Sequence, residues 1–160
     1  MEILGTPGVQ NVMKWIEKDK MLIKEFISET NKNQMIAILF KHYKIESVKV
    51  KQKSMKRHAD FDVDRGMLNL STKYKTIKSR QIKEFLITII HEIDHARDAK
   101  KYGWKKFKKM YEYEQNMIAQ GHYPDKTDEY WDNPFEIKAE KFGQDNWKKW
   151  YDKFKKQGLF

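Results

Sequence analysis

Between Ser79 and Tyr102 the apolar residues fall at helical spacing. Ile82, Phe85, Leu86, Ile89, Ile90, Ile93 and Ala96 make one broad face, and Gly103 supplies a stop. A helix with so wide an apolar stripe must be covered by the rest of the chain, so it belongs at the centre of the fold. The same stretch carries His91-Glu92-Ile93-Asp94-His95. Positions i and i+4 lie one above the other on a helix, so the two imidazoles face the same way.

The flanking segments read as follows. Residues 9–43 have apolar positions (Val12, Trp15, Ile16, Leu22, Ile23, Phe26, Ile27, Met35, Ile36, Leu39, Phe40) at spacings of three and four. Two or three helices are expected there, interrupted near Asn31-Lys32-Asn33. The period then shortens. Val48 and Val50 alternate with lysines, and Phe61 and Val63 alternate with Asp60, Asp62 and Asp64. Met67, Leu68 and Leu70 follow a turn at Asp64-Arg65-Gly66. Three strands near 45–52, 59–64 and 67–72 are expected, the last two as a hairpin, in an antiparallel or mixed sheet. Beyond the central helix, Trp104, Phe107, Tyr111 and Met117 mark another helix, and residues 119–133 a loop. Asn133-Pro134 opens a last helix with proline in its first turn.

Composition narrows the chemistry. The 160 residues include no cysteine, so disulfides, thiolate zinc sites and cysteine nucleophiles are excluded. Any metal must be held by His and carboxylate. Charged residues make up 35% and the mean hydropathy is −0.90, but 14% aromatics argue for a packed core. The longest apolar run, Phe85 to Ile90, is too short to cross a bilayer, and no signal peptide is visible at the start. A cytoplasmic location without membrane attachment is the expectation. The net charge of +10 permits attraction to nucleic acid. The excess is nearly all lysine, spread along the chain, with arginine only at Arg57, Arg65, Arg80 and Arg97. That pattern reads as solvated helix faces, with nucleic acid kept as an alternative partner.

The chemistry-bearing motif is His91-Glu92-x-x-His95. Two imidazoles at this spacing can share one tetrahedral zinc. Glu92, one residue on, lies beside the metal, where it can take a proton from water and later hand it to a leaving amine. These are the mechanics of the zinc peptidases. A hydrolytic site needs a third protein ligand. His42 and His58 precede the strands or lie between them, whereas His122 stands 27 residues after His95, within the expected loop. Glu136 and Glu140 are again i and i+4, on one side of the last helix. One of them can bind zinc while the other accepts the spare N–H of a ligating His. Glu136 is also three residues after Asn133, where it can simply close a capping box.

Taken together, His91-Glu92-x-x-His95 and Glu136-x-x-Ala139-Glu140-x-Phe142-Gly143 resemble the gluzincin clan of zinc metallopeptidases. The likeness is greatest to small single-domain members from phages and mobile elements, and to the zinc domain of anthrax lethal factor. It spans about residues 45–145. It implies zinc held by His91, His95 and Glu136, Glu92 as general base, and Glu140 as the hydrogen-bond partner of a ligating His. It also implies a sheet whose edge strand, here Met67 to Thr72, runs beside the cleft. The 41 residues between His95 and Glu136 exceed the gap of the compact members. The clan usually supplies a Tyr or His for the oxyanion. Tyr123 and Tyr130 precede the ligand helix, and Tyr130 is preferred.

The resulting expectation is one α+β domain over residues 1–160 with a zincin-like core. It has a helical extension over 1–44, a core over 45–145 with a three-stranded sheet, the H-E-x-x-H helix and the ligand helix, and a helix end over 146–160. Its expected activity is zinc-dependent hydrolysis of a protein or peptide substrate, with a non-proteolytic zinc-binding or nucleic-acid-associated module as the alternative.

Overall fold

The computed structural model describes residues 26–45, 49–62 and 64–160. Val12, Trp15, Ile16, Leu22 and Ile23 of the expected first helices, and Val48 and Val63 of the expected strands, lie outside the described residues. The described elements are β1 (Phe26–Ile27), α1 (Glu29–His42), β2 (Lys49–Lys53), β3 (Ala59–Asp62), β4 (Met67–Ser71), β5 (Ile77–Lys78), α2 (Ile82–Tyr102), α3 (Trp104–Ala119) and α4 (Pro134–Lys156), with short 3-10 turns at Thr72–Tyr74 and Ser79–Gln81. The architecture is α+β. No described helix is long and apolar enough to cross a membrane.

Expectations in two regions need correction. Residues Asn31-Lys32-Asn33 do not interrupt a helix; α1 runs through them. The break lies earlier, at Ser28, whose hydroxyl accepts the backbone N–H of Asn31 at 3.1 Å. The two asparagines therefore occupy the first turns after a cap, where polar residues are well tolerated. Phe26 and Ile27, expected to be helical, pair instead with Lys78 and Ile77 in a two-residue antiparallel ribbon.

The second correction concerns the sheet. Its order is β2-β4-β3, with β2 parallel and β3 antiparallel to β4. The segment 67–72 is therefore the central strand and has no free edge to offer. Its composition explains the position. Met67-Leu68-Asn69-Leu70-Ser71 carries no charge, whereas β2 exposes Lys49, Lys51 and Lys53 and β3 carries Asp60 and Asp62. Charged side chains belong on edge strands, where they discourage further pairing. The β3–β4 hairpin itself matches expectation, with Gly66 in the left-handed region at φ 58°.

The apolar face of α2 lies in the core as its spacing requires. Phe85, Leu86, Ile89, Ile90 and Ile93 are fully buried. They meet Met35, Ile36 and Leu39 of α1, Leu68 and Leu70 of β4, and Trp150 and Phe154 of α4 in one cluster. Two features hold α4 against α2. Lys138 reaches Asp94 and Asp98, both buried on α2, at 2.9 Å each. Gly143 lets the two backbones approach: a Cβ there would stand 2.8 Å from the Ile87 carbonyl oxygen. That oxygen is main chain and has no rotamer into which to retreat. Gly143→Ala is therefore expected to cost about 1–3 kcal/mol by overpacking, lowering the melting temperature by roughly 5 °C in a thermal unfolding scan.

Candidate metal centre

His91 and His95 project from one side of α2 because four residues make slightly more than one helical turn. Their Nε2 atoms lie 3.1 Å apart. Glu136 enters from the first turn of α4, where Asn133 caps the helix through the N–H of Phe135 at 3.0 Å and Pro134 occupies the first turn. Its Oε1 lies 3.4 Å from His91 Nε2 and in close contact with His95 Nε2. The Glu136 carboxylate is thus directed at the two imidazoles rather than at the Asn133 backbone, whose N–H donates to the Tyr130 carbonyl. The capping-box alternative is not realised.

Glu140, one turn further along α4, accepts from His91 Nδ1 at 3.0 Å. A carboxylate accepts only, so Nδ1 carries the proton and Nε2 faces His95 and Glu136. The two glutamates that the residues alone left interchangeable are thereby separated. Glu136 contacts both Nε2 atoms, and Glu140 fixes one ring from behind. Ligand atoms of His91, Glu92 and His95 all lie within 4.8 Å of one another.

The electrostatics favour a cation here. Glu136 is 2% exposed and its Oε2 has no hydrogen-bond partner among the described residues. Burial would raise its pKa, but hydrogen bonds and charge from His91 and His95 carry it down to about 2. Burial would lower His91, yet the hydrogen bond to Glu136 and the charges of Glu92 and Glu136 lift it to about 9. Burial pushes Glu92 up to about 7 against the opposing pull of His95 and His91. Three carboxylates around two imidazoles call for positive charge. Two imidazole nitrogens and one carboxylate oxygen converging on one point form a donor set suited to zinc or a neighbouring divalent metal.

Tyr130 lines the same cleft of about 720 Å³ as His91 and Glu92. Its loop is held by Asp128, whose carboxylate accepts the N–H groups of Tyr130 and Trp131, and by Asp132, which accepts those of Thr127 and Asp128. Burial, with the Glu136 and Glu92 charges, raises the Tyr130 phenol above its ordinary value. Tyr123 instead bonds Glu114 at 3.3 Å, away from this cleft. His122 is exposed and pairs with Gln120 at 3.1 Å. His42 packs edge-on against Trp150, and His58 lines the cleft but is engaged by Tyr74 and Glu84. No family model, curated protein or solved structure matches the chain.

Sequence reasoning missed two neighbours of the site. Tyr111 of α3 sets its ring 6.4 Å from that of His95, and its phenol is raised by burial and by the Glu136 charge. Arg57 places its guanidinium 4.0 Å from the Tyr130 ring centre. Tyr111 read only as a core position of α3, and Arg57 as one cation among many.

Proposed function

We propose that the chain is a zinc-dependent peptidase with a gluzincin-like core. The observation that carries this reading is the meeting of His91 Nε2, His95 Nε2 and Glu136 Oε1 beside the buried carboxylate of Glu92. His91, His95 and Glu136 would hold the ion, with Glu140 orienting the His91 ring. When bound, zinc supplies Lewis acidity toward a carbonyl and brings the pKa of a water down toward about 7. Glu92 takes the proton released as water attacks and returns it to the leaving amine. The Tyr130 hydroxyl donates to the oxygen that gains charge. β3, antiparallel to β4 and paired to no other described strand, offers its outer edge to an extended substrate, with Ala59 facing the cleft.

The direct test is metal-dependent cleavage. Zinc-loaded protein incubated with a mixed peptide pool is expected to yield new amino termini. Chelation should stop this, and one equivalent of zinc should restore it. A pool left intact by fully loaded protein removes the reading. Tyr130→Phe deletes one hydroxyl and no metal donor. It is expected to retain zinc and to lower kcat about a hundredfold, more than KM changes, in steady-state assays.

A further inference from the structure

The walls of the cleft carry four cations that the fold does not use. Lys56 and Arg57 lie in the segment between β2 and β3, Arg80 in the turn before α2, and Lys83 in its first turn; all four are exposed and line the cleft. None has a carboxylate partner among the described residues. Arg57 rests on the Tyr130 ring and Lys83 stands 4.8 Å from the Trp147 ring centre, and neither contact neutralises charge. The carboxylates of the same cleft are occupied. Glu84 binds Lys73 at 2.5 Å, Asp128 caps its own loop, Glu140 holds His91, and Glu92 lies buried beside the two imidazoles. The four cations match the four carboxylates in number, but the cations are exposed and unpaired among the described residues, so they are the charges left to meet an entering anion.

Resting on the peptidase reading, we propose that this cleft selects peptides with acidic side chains flanking the cleaved bond. The spacing gives the positions. Arg57 lies against Tyr130 and meets a carboxylate next to the bond. Lys83 stands eight residues before His91 on α2, about 12 Å along the axis. An extended peptide advances about 3.3 Å per residue, so along α2 Lys83 meets a carboxylate about three to four positions away, and Arg80, about a turn further, one about five positions away. Exposed cations focused by a concave wall attract such a chain before it docks.

The test uses zinc-loaded Glu92→Gln protein and a fluorescein-labelled decapeptide with Glu at half its positions, against the same peptide with Gln at each. The Glu peptide is expected to bind at least tenfold more tightly. The double substitution Arg80→Gln/Lys83→Gln should keep zinc content and melting temperature and lose most of that preference. Equal binding of both peptides overturns the proposal. So does a single-stranded DNA 20-mer that binds as tightly and displaces the Glu peptide, because the surface would then read polyanions in general. Wild-type protein supplies the separate readout. Cleavage of Glu and Gln peptides at equal kcat/KM ends the acidic preference while the peptidase reading stands. Selective binding without any cleavage ends the peptidase reading and leaves the cleft's preference in place.

Discussion

Glu136→Ala is expected to leave the protein without stoichiometric zinc, whereas His122→Ala keeps one zinc per chain after dialysis. Substituting a residue that merely orients a ligand costs about 10–100-fold in metal affinity, and removing a direct donor should exceed that. Glu136 is buried with one oxygen against His95 and near His91, the position of a direct donor. Glu140 is committed to the far nitrogen of His91 and is the milder case. Glu140→Gln is expected to weaken zinc binding within the 10–100-fold range. Elemental analysis of the purified variants, with competition against a chelator of known affinity, gives the order Glu136, Glu140, His122. Full zinc occupancy in Glu136→Ala would remove the carboxylate from the donor set and with it the three-ligand site.

That prediction rests on a pairing whose parts differed in legibility. The central helix declared itself, because seven apolar residues at helical spacing leave one orientation, and the orientation then fixes where His91 and His95 point. On the residues alone Glu136 and Glu140 were legible as a pair, and only the resemblance told them apart. Which of them meets the Nε2 atoms depends on how α4 crosses α2, and the crossing is set by Gly143 against Ile87 and by Lys138 between Asp94 and Asp98. The strand order was misread for a related reason. Alternation shows which side of a strand is wet but not which strand is flanked on both sides. The usable signal was the absence of charge in Met67 to Ser71, beside the lysines of β2 and the aspartates of β3. Arg57 and Tyr111 left no signal at all. They reach the site from segments on opposite sides of α2 in sequence, and only tertiary packing brings them to Tyr130 and His95.

Glu92→Gln is expected to keep zinc and lose turnover by about 10²–10⁴-fold, because an amide of the same shape accepts no proton. The buried position makes the result separable from damage to the fold. Glu92 is 6% exposed, and burial raises its carboxyl pKa to about 7. A carboxyl whose folded pKa lies above its ordinary value costs stability as pH rises from about 4.5 toward 7, since the folded state resists its ionisation. The neutral glutamine escapes that cost. At pH 8 the metal-free variant should therefore melt no lower than metal-free wild type, and loss of activity accompanied by retained or raised stability points to the lost base. The wild-type pH profile carries the same sign. Glu92 must be ionised to take a proton, so kcat/KM falls on the acid side, with its limb at or below about pH 7 because a neighbouring divalent ion favours the charged form. A Glu92→Gln enzyme with near-normal turnover, or a wild-type rate that stays flat down to pH 4, would take the proton transfer away from this residue.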